Sequence, residues 1–249
     1  MLGGATFGPS LSADGSTAVG TAEGLSISQA VRWTLATGTV NIGPITGLPI
    51  SDGVSRISYG VSTDGGVVVG VGEAVYSTNP VQTTFLPFRW TQATGAVGLL
   101  DNGQFYLPQI GAGASDTSAD GSVVVGYAGA GVWRWTAATG FSLVLNPPST
   151  PGTFYPHVSS DGSTVAYRHL LWTATGGEVP LTTALTNAGC NFSGWTNIFA
   201  TDVSGDGRSL CGYGTNPTGQ TEAWYATIPA PGAAPILALA AFVAQRRRR

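Results

Sequence analysis

One acidic residue recurs in the same setting five times along the chain. The stretches SADGSTAVGT, STDGGVVVGV, SADGSVVVGY, SSDGSTVAYR and SGDGRSLCGY each place an aspartate directly before a glycine; these aspartates are Asp14, Asp64, Asp120, Asp161 and Asp206. Five copies of one carboxylate have two interpretations, a row of ligand sites or a structural turn reused in every unit of a repeating fold. Asp-Gly is the strongest short signal for a hairpin turn, and no second ligand residue recurs beside the aspartate. We therefore expect a repeated turn.

Other residue types that carry chemistry are scarce. Hydrolysis needs a nucleophile beside a base, or two carboxylates in a cleft, yet the only histidines, His157 and His169, lie in one unit and no Gly-x-Ser-x-Gly stretch occurs. The string SGDGRS lacks the further acidic ligands of a calcium loop. The sequence therefore predicts no catalytic, cofactor or metal site. The glutamates show no pairing pattern: Glu23, Glu73, Glu178 and Glu222.

The elements that position the aspartates follow from two further landmarks. Each Asp-Gly is followed by a tryptophan stretch, and after the first four of these comes an Ala-Thr-Gly turn. The stretches are VRWT at 31–34, FRWT at 88–91, WRWT at 133–136, LLWT at 170–173 and AWYA at 223–226. This pattern predicts that each unit contains two hairpins, with a loop of variable length between the second and third strands.

Composition and repeat length together indicate the fold. Charged residues make up only 9 % of the 249 residues, glycine contributes 37 and proline 15, and 43 % are hydrophobic. Many short strands joined by glycine-rich turns are expected from such a chain, and four strands in about 48 residues is the size of a propeller blade. We predict an all-β, propeller-like array of about five four-stranded repeats over residues 1–227, five-bladed or N-terminally incomplete. A β-sandwich or an open β-meander is the alternative.

The fifth unit lacks a fourth strand, and the residues before Asp14 offer a leading strand. One interpretation is ring closure, in which the N-terminus completes the last blade. The other is that the recorded start falls inside a longer protein. The N-terminal residues have neither the basic nor the apolar region of a signal peptide. If the protein is exported, it would need a signal peptide, so we hypothesise that the true start lies upstream.

The repeated tryptophan and its neighbouring arginine have structural and functional interpretations. An indole on one strand of every unit is expected to pack between neighbouring blades, because it buries a large area. The alternative is a set of aromatic platforms for sugar rings. Arg32, Arg89 and Arg134 are expected to cap a turn or pair with the repeat aspartate, and to stack on a neighbouring ring.

Specificity is expected in the variable loops. The candidate ligand residues are Tyr76 in the loop 72–84, and Phe105 with Tyr106 in the loop 101–109. Cys190 and Cys211 lie 21 residues apart. They are either two buried free thiols or, in an exported protein, a disulfide.

The charge distribution argues against a nucleic-acid partner. Four of the ten basic residues form the terminal run, so removing them takes the formal net charge from −3 to about −7. A phosphate backbone needs a cluster of cations, and the body of the chain offers none.

Residues 228–249 form a second unit. Two prolines end the strand pattern, residues 233–244 are apolar apart from one proline, and four arginines follow. Twelve helical residues span about 18 Å, less than the roughly 30 Å hydrocarbon core. This order is typical of a processed sorting signal. The motif residues are Pro229, Ala230, Pro231, Gly232, Arg246, Arg247, Arg248 and Arg249.

The tail resembles the bacterial PEP-CTERM sorting signal, although Pro229-Ala230-Pro231 lacks its glutamate. The resemblance implies an exosortase-like processing protease, transient membrane anchoring and export to the cell envelope or extracellular matrix. Residues 7–227 resemble the HAF family of extracellular repeats, with AVRW and PFRW where that family has its His-Ala-Phe triplet. This resemblance implies an extracellular β-rich repeat protein.

We therefore expect a non-catalytic exported protein whose propeller binds exopolysaccharide or an envelope protein. The alternative is an extracellular enzyme, of glycoside hydrolase or lyase type, that acts on polymers.

Overall fold

The computed structural model describes residues 10–23, 27–48, 51–100, 112–129, 131–146 and 155–228. These residues form five antiparallel sheets, here called blades 1 to 5 in chain order, and one short helix, α1 (Leu181–Asn187), between blades 4 and 5. The prediction of an all-β repeat fold is confirmed. The predicted ligand residues Phe105 and Tyr106 and the sorting motif lie outside the described residues. Within the described part, no helix is long and apolar enough for a membrane crossing.

The strands of each blade are given below in order from the propeller axis outwards. Blade 1 contains β1 (Ser10–Leu11), β2 (Thr17–Glu23), β3 (Ser28–Thr34) and β4 (Gly38–Asn41). Blade 2 contains β6 (Ser51–Val61), β7 (Val67–Thr78), β8 (Val81–Thr91) and β9 (Gly95–Gly98), with β5 (Ile45–Thr46) parallel to β9 at its outer edge. Blade 3 contains β10 (Gly113–Thr117), β11 (Val123–Ala128), β12 (Gly131–Thr136) and β13 (Gly140–Leu145). Blade 4 contains β14 (His157–Val158), β15 (Thr164–Tyr167), β16 (Leu170–Thr173) and β17 (Gly177–Pro180). Blade 5 contains β18 (Thr196–Val203), β19 (Ser209–Thr215) and β20 (Thr221–Thr227).

The landmarks occupy the turns that the sequence predicts. Asp-Gly joins the first and second strands of every blade, and Ala-Thr-Gly joins the third and fourth strands of blades 1 to 4. Alternation along the second strands places one set of side chains on each face of a blade. In β7, Val68 faces blade 1, whereas Val67 and Val69 face blade 3.

The hydrophobic core consists of layers between successive blades. Four buried clusters join blades 1 and 2, 2 and 3, 3 and 4, and 4 and 5. The first strands of consecutive blades also contact one another, which places them at the axis. Within the described residues no core cluster joins blades 5 and 1.

Three sequence expectations need correction. Ser10–Leu11 pairs with β2, so this leading strand belongs to blade 1 and does not complete blade 5. Residues 72–84 are not a loop, because β7 and β8 continue as a long hairpin that carries Tyr76 on β7. The tryptophan stretch of blade 5 is shifted by one residue: Ser209 pairs with Thr227 as Thr17 pairs with Thr34, so WYAT at 224–227 is the equivalent stretch.

Candidate binding site at the propeller axis

The repeat aspartates organise the hairpin turns. Asp120 Oδ1 accepts hydrogen bonds from Ser118 Oγ at 2.8 Å and from the Ser122 amide at 2.9 Å. Ser118 Oγ in turn accepts the Val123 amide at 2.9 Å. The same three bonds recur in all five blades. A carboxylate held in this way is a turn residue, which confirms the structural interpretation of the repeat.

These bonds favour the ionised carboxylate. The Ser122 amide, the Ser122 hydroxyl and the Ser118 hydroxyl lower the pKa of Asp120 to about 2. Donation by Ser12 and Ser16 lowers the pKa of Asp14 to about 2 as well. The pKa values of the other three repeat aspartates are also lowered, mainly by the serine two positions earlier.

The arginine that recurs in the first three units links one blade to the next. Arg89 Nε donates to the carbonyl of Gly121, the turn glycine of the following blade, at 2.9 Å. Arg32 and Arg134 make the same bond to Gly65 and Gly162, at 3.1 Å and 3.2 Å. The expectation that these arginines cap a turn is confirmed, with the difference that the turn belongs to the neighbouring blade.

Two of these arginines stack on the repeated tryptophan of the following blade. The Arg32 guanidinium lies 5.7 Å from the Trp90 ring, and that of Arg134 lies 5.9 Å from Trp172. Trp90, Trp135 and Trp172 are half-buried and pack against the cores between blades. These three positions bear out the packing interpretation. Trp135 and Arg89 also line a groove of about 340 Å³ between blades 2 and 3.

A polar cluster that the sequence analysis missed lies at the axis. The residue four positions before the repeat aspartate is Asp116 in blade 3, His157 in blade 4 and Asp202 in blade 5. His157 Nδ1 lies 3.6 Å from Asp116 Oδ2 and 3.9 Å from Asp202 Oδ1. β-bulges precede Asp116 and Asp202, and a bulge re-aims the side chains beside it.

The two carboxylates of this axial cluster differ in their surroundings. Asp116 is 25 % exposed, and its oxygens accept the Thr117 and Val158 amides at 2.7 Å and 3.0 Å. Asp202 is 62 % exposed and accepts the Val203 amide at 2.7 Å. Burial alone would lower the pKa of His157, but the hydrogen bond and charge of Asp116, together with the charge of Asp202, raise it overall. Among the described residues no group of His, Cys, Asp or Glu is arranged to hold a metal ion.

Three tyrosines form a second group, with Tyr59 on β6, Tyr127 on β11 and Tyr155 two residues before β14. The rings of Tyr59 and Tyr155 have centroids 4.8 Å apart, and those of Tyr127 and Tyr155 are 5.5 Å apart. Tyr155 donates to the Tyr59 hydroxyl at 3.3 Å. Burial raises the pKa of Tyr127 to about 12, and burial with the Tyr155 hydrogen bond raises that of Tyr59 further.

The tyrosines and the axial cluster are adjacent in the chain at blade 4, where Tyr155 precedes His157 by two residues. On blade 2, Tyr59 precedes Gly60, and a Cβ added to Gly60 would lie 3.0 Å from the Asp116 Cα, so the first strands of blades 2 and 3 approach closely there. We call these six residues the axial site: Tyr59, Asp116, Tyr127, Tyr155, His157 and Asp202.

The residues predicted for ligand binding are placed differently. Tyr76 lies on β7 in the long hairpin and is not one of the residues of the axial site. Cys190, in the segment after α1, is half-buried and Cys211 is exposed on β19, and both thiols are free in this structure. His169 lies outside the axial site, and its pKa is lowered by burial and by the charge of Arg168.

Comparison with known proteins supports the fold. No family model matches the sequence, and no curated protein matches it. Among solved structures, TolB from Acinetobacter baumannii is similar with a TM-score of 0.52 and 11 % identity, over 90 % of this chain and 54 % of that one. A prolyl endopeptidase structure also has a TM-score of 0.52, with 12 % identity over 90 % of this chain and 34 % of its own.

The chain therefore spans about half the length of the TolB protein and about a third of the peptidase. At such low identity the likeness shows the fold alone, and that fold is a β-propeller.

Proposed function

We propose that this protein is a non-catalytic binding protein and that its axial site binds polysaccharide. The observation that carries the proposal is the contact of three tyrosine rings, Tyr59, Tyr127 and Tyr155, at the start of blade 4. Two residues further along the chain, His157 lies against the partly exposed Asp202. Ligand sites combine aromatic side chains with a few polar groups that fix orientation. A tyrosine offers an apolar ring with a polar tip, which suits a sugar's apolar face and its hydroxyls.

The alternative of a polymer-cleaving enzyme has its support in Asp116 and Asp202. Two carboxylates on either side of a glycosidic bond are the machinery of most glycoside hydrolases. Here, however, both Asp116 oxygens accept backbone amides and His157 lies against both carboxylates. This arrangement leaves Asp202 as the accessible acid of the pair, which favours binding over hydrolysis.

Export and sorting are a further part of the proposal. It is supported by the order of proline motif, apolar run and arginine cluster in residues 229–249, and by the repeat pattern of the body. On this proposal an exosortase-like protease removes the tail after transient membrane anchoring, and the propeller stays in the envelope or extracellular matrix. Mass spectrometry of the mature protein tests it, since an intact Arg249 on exported protein would contradict processing.

A polysaccharide-retention assay with the purified full chain tests the binding function. Tyr155→Ala should weaken retention roughly tenfold or more, since truncating an aromatic anchor costs above 1 kcal/mol. Tyr225→Ala is the matched control, because Tyr225 is 71 % exposed on the outer face of blade 5. Equal losses in both variants, retention by no polymer, or release of shortened polymer would contradict the proposal.

A further inference from the structure

Each interface between consecutive blades repeats the same contacts. The residue before the repeat aspartate donates its amide to the equivalent carbonyl of the next blade, in the order Ala13, Thr63, Ala119, Ser160 and Gly205, at 2.8–3.1 Å. We call this series the belt. The turn glycine of each following blade also packs against a side chain of the preceding one: Gly121, for example, packs against Val67.

In the first three interfaces the arginine completes the set. It donates to that turn glycine, and in two of them it stacks on the following tryptophan, as described for Arg32 and Arg134. Each blade therefore has a donating face towards its successor and a receiving face towards its predecessor.

The receiving face of blade 1 has all the acceptors and none of the donors. Within the described residues no amide donates to the Ala13 carbonyl and no arginine to that of Gly15. A Cβ built on Gly15 would meet nothing within 4 Å, in contrast to the turn glycines of the other four blades. Trp33 is 41 % exposed, and no arginine of the described part stacks on it.

Blade 5 does not supply the missing donors. Its residue at the arginine position is Tyr225, which shares a 2.8 Å hydrogen bond with Ser209 on the same blade. Thr227 donates to the Tyr225 hydroxyl as well, at 3.4 Å. The hydroxyl at the arginine position of blade 5 is therefore hydrogen-bonded within its own blade, and it is not an arginine that could donate to Gly15.

A second copy of the chain would not supply the donors either, because its Arg32, Arg89 and Arg134 already donate to the following blade of their own chain.

From this asymmetry we infer that the receiving face of blade 1 is an interface for one further blade of the same repeat type, preceding blade 1 in the same polypeptide. That blade presents an arginine from its third strand to Gly15 and Trp33, and a belt amide to Ala13. The continuity with three established interfaces carries the inference, because each component of the contact is already seen between blades of this chain.

A fusion tests this inference. A second copy of blade 3, residues 112–146, is placed ahead of residue 1 of the full chain, and residues 1–9 remain as the connection. The matched control carries Arg134→Gln in the added copy only. Thermal unfolding and ¹⁹F NMR of 5-fluorotryptophan-labelled protein, with Trp33 assigned through Trp33→Phe, report stability and the exposure of that ring.

The expected result is a Tm at least about 4 °C above that of the chain, with the Trp33 resonance shielded from solvent, and loss of most of both effects in the control. No change in Tm or in Trp33, equal effects in fusion and control, or an added blade digested by protease would each overturn the inference. Two findings on the chain without the fusion would also overturn the inference. One is a dimer that buries Trp33; the other is an increase in the exposure of Trp33 when the chain is truncated after Ile228, because the tail would then be the segment that covers this face.

Discussion

Removal of one buried hydroxyl tests whether the repeated corner stabilises the fold. Ser118 is 1 % exposed, and its Oγ accepts the Val123 amide while donating to Asp120. Ser118→Ala leaves the Val123 amide buried without a partner, at a cost of about 1–3 kcal/mol. Loss of the charge-assisted bond to Asp120 adds about 0.5–1 kcal/mol after solvent screening. We therefore expect about 2–4 kcal/mol, and a shift of about 2–4 °C in Tm for each kcal/mol.

The chain contains its own control for this experiment. Ser204 makes the equivalent bonds to Asp206 and Ser209 in blade 5, but its bond to the Ser209 amide is only partly buried. Water can replace the hydroxyl there, so Ser204→Ala should cost about 1 kcal/mol or less. Calorimetry and urea unfolding at constant m-value measure both variants. A loss in Ser118→Ala equal to or smaller than that in Ser204→Ala would refute the argument.

Four further outcomes are expected. Because the pKa values of the repeat aspartates are lowered in the folded protein, their carboxylates stabilise the fold above the unfolded pKa of about 4, and Tm should fall as the pH drops from about 4 to 2. Asp120→Asn should make this fall of Tm with pH smaller, and an unchanged fall would contradict the role of Asp120. Gly121→Ala should cost more than Gly15→Ala in urea unfolding: both have φ near +70°, but only at Gly121 does the new Cβ meet Val67, and equal costs would contradict this packing. Arg134→Gln should lower Tm by several degrees and the exposed Arg208→Gln by about 1 °C or less, unless the link between blades contributes nothing. NMR titration should give His157 a pKa above 6.5, and this pKa should fall in Asp202→Asn. Because the pKa is raised in the folded protein, protonated His157 stabilises the fold below about pH 6.5, and this contribution is lost as the pH rises through the folded pKa. An unchanged pKa in the variant would exclude the charge of Asp202 as a cause.

The repeat made most of the fold predictable. Asp-Gly, the tryptophan stretch and Ala-Thr-Gly each favour one turn or one strand locally, so five copies reinforced the same four-stranded unit. Blade 5 was one residue out of register because the stretch AWYA, compared with VRWT, places Trp224 at the position of Arg32, whereas pairing aligns it with Val31, Phe88 and Trp133. Residue identity alone could not distinguish these alternatives.

The axial site was hidden because the repeat was read through what its copies share. Asp116, His157 and Asp202 differ in type and occupy one repeat position, where blades 1 and 2 have Ser10 and Gly60. Comparison of that position between units would have found them, since the first strands bring it together at the axis. Their contacts depend on the angle between blades and on local bulges, and these are long-range properties that no single unit encodes.

The belt gives the series of blades a direction. Every amide donates towards the blade that follows, from Ala13 to Gly205, so two blades placed head to head would oppose donor with donor. Tandem duplication of a gene segment always adds the new copy in the same orientation. A duplicated blade therefore arrives with its donor and acceptor already matched, and blade number can change in evolution without the redesign of a single corner.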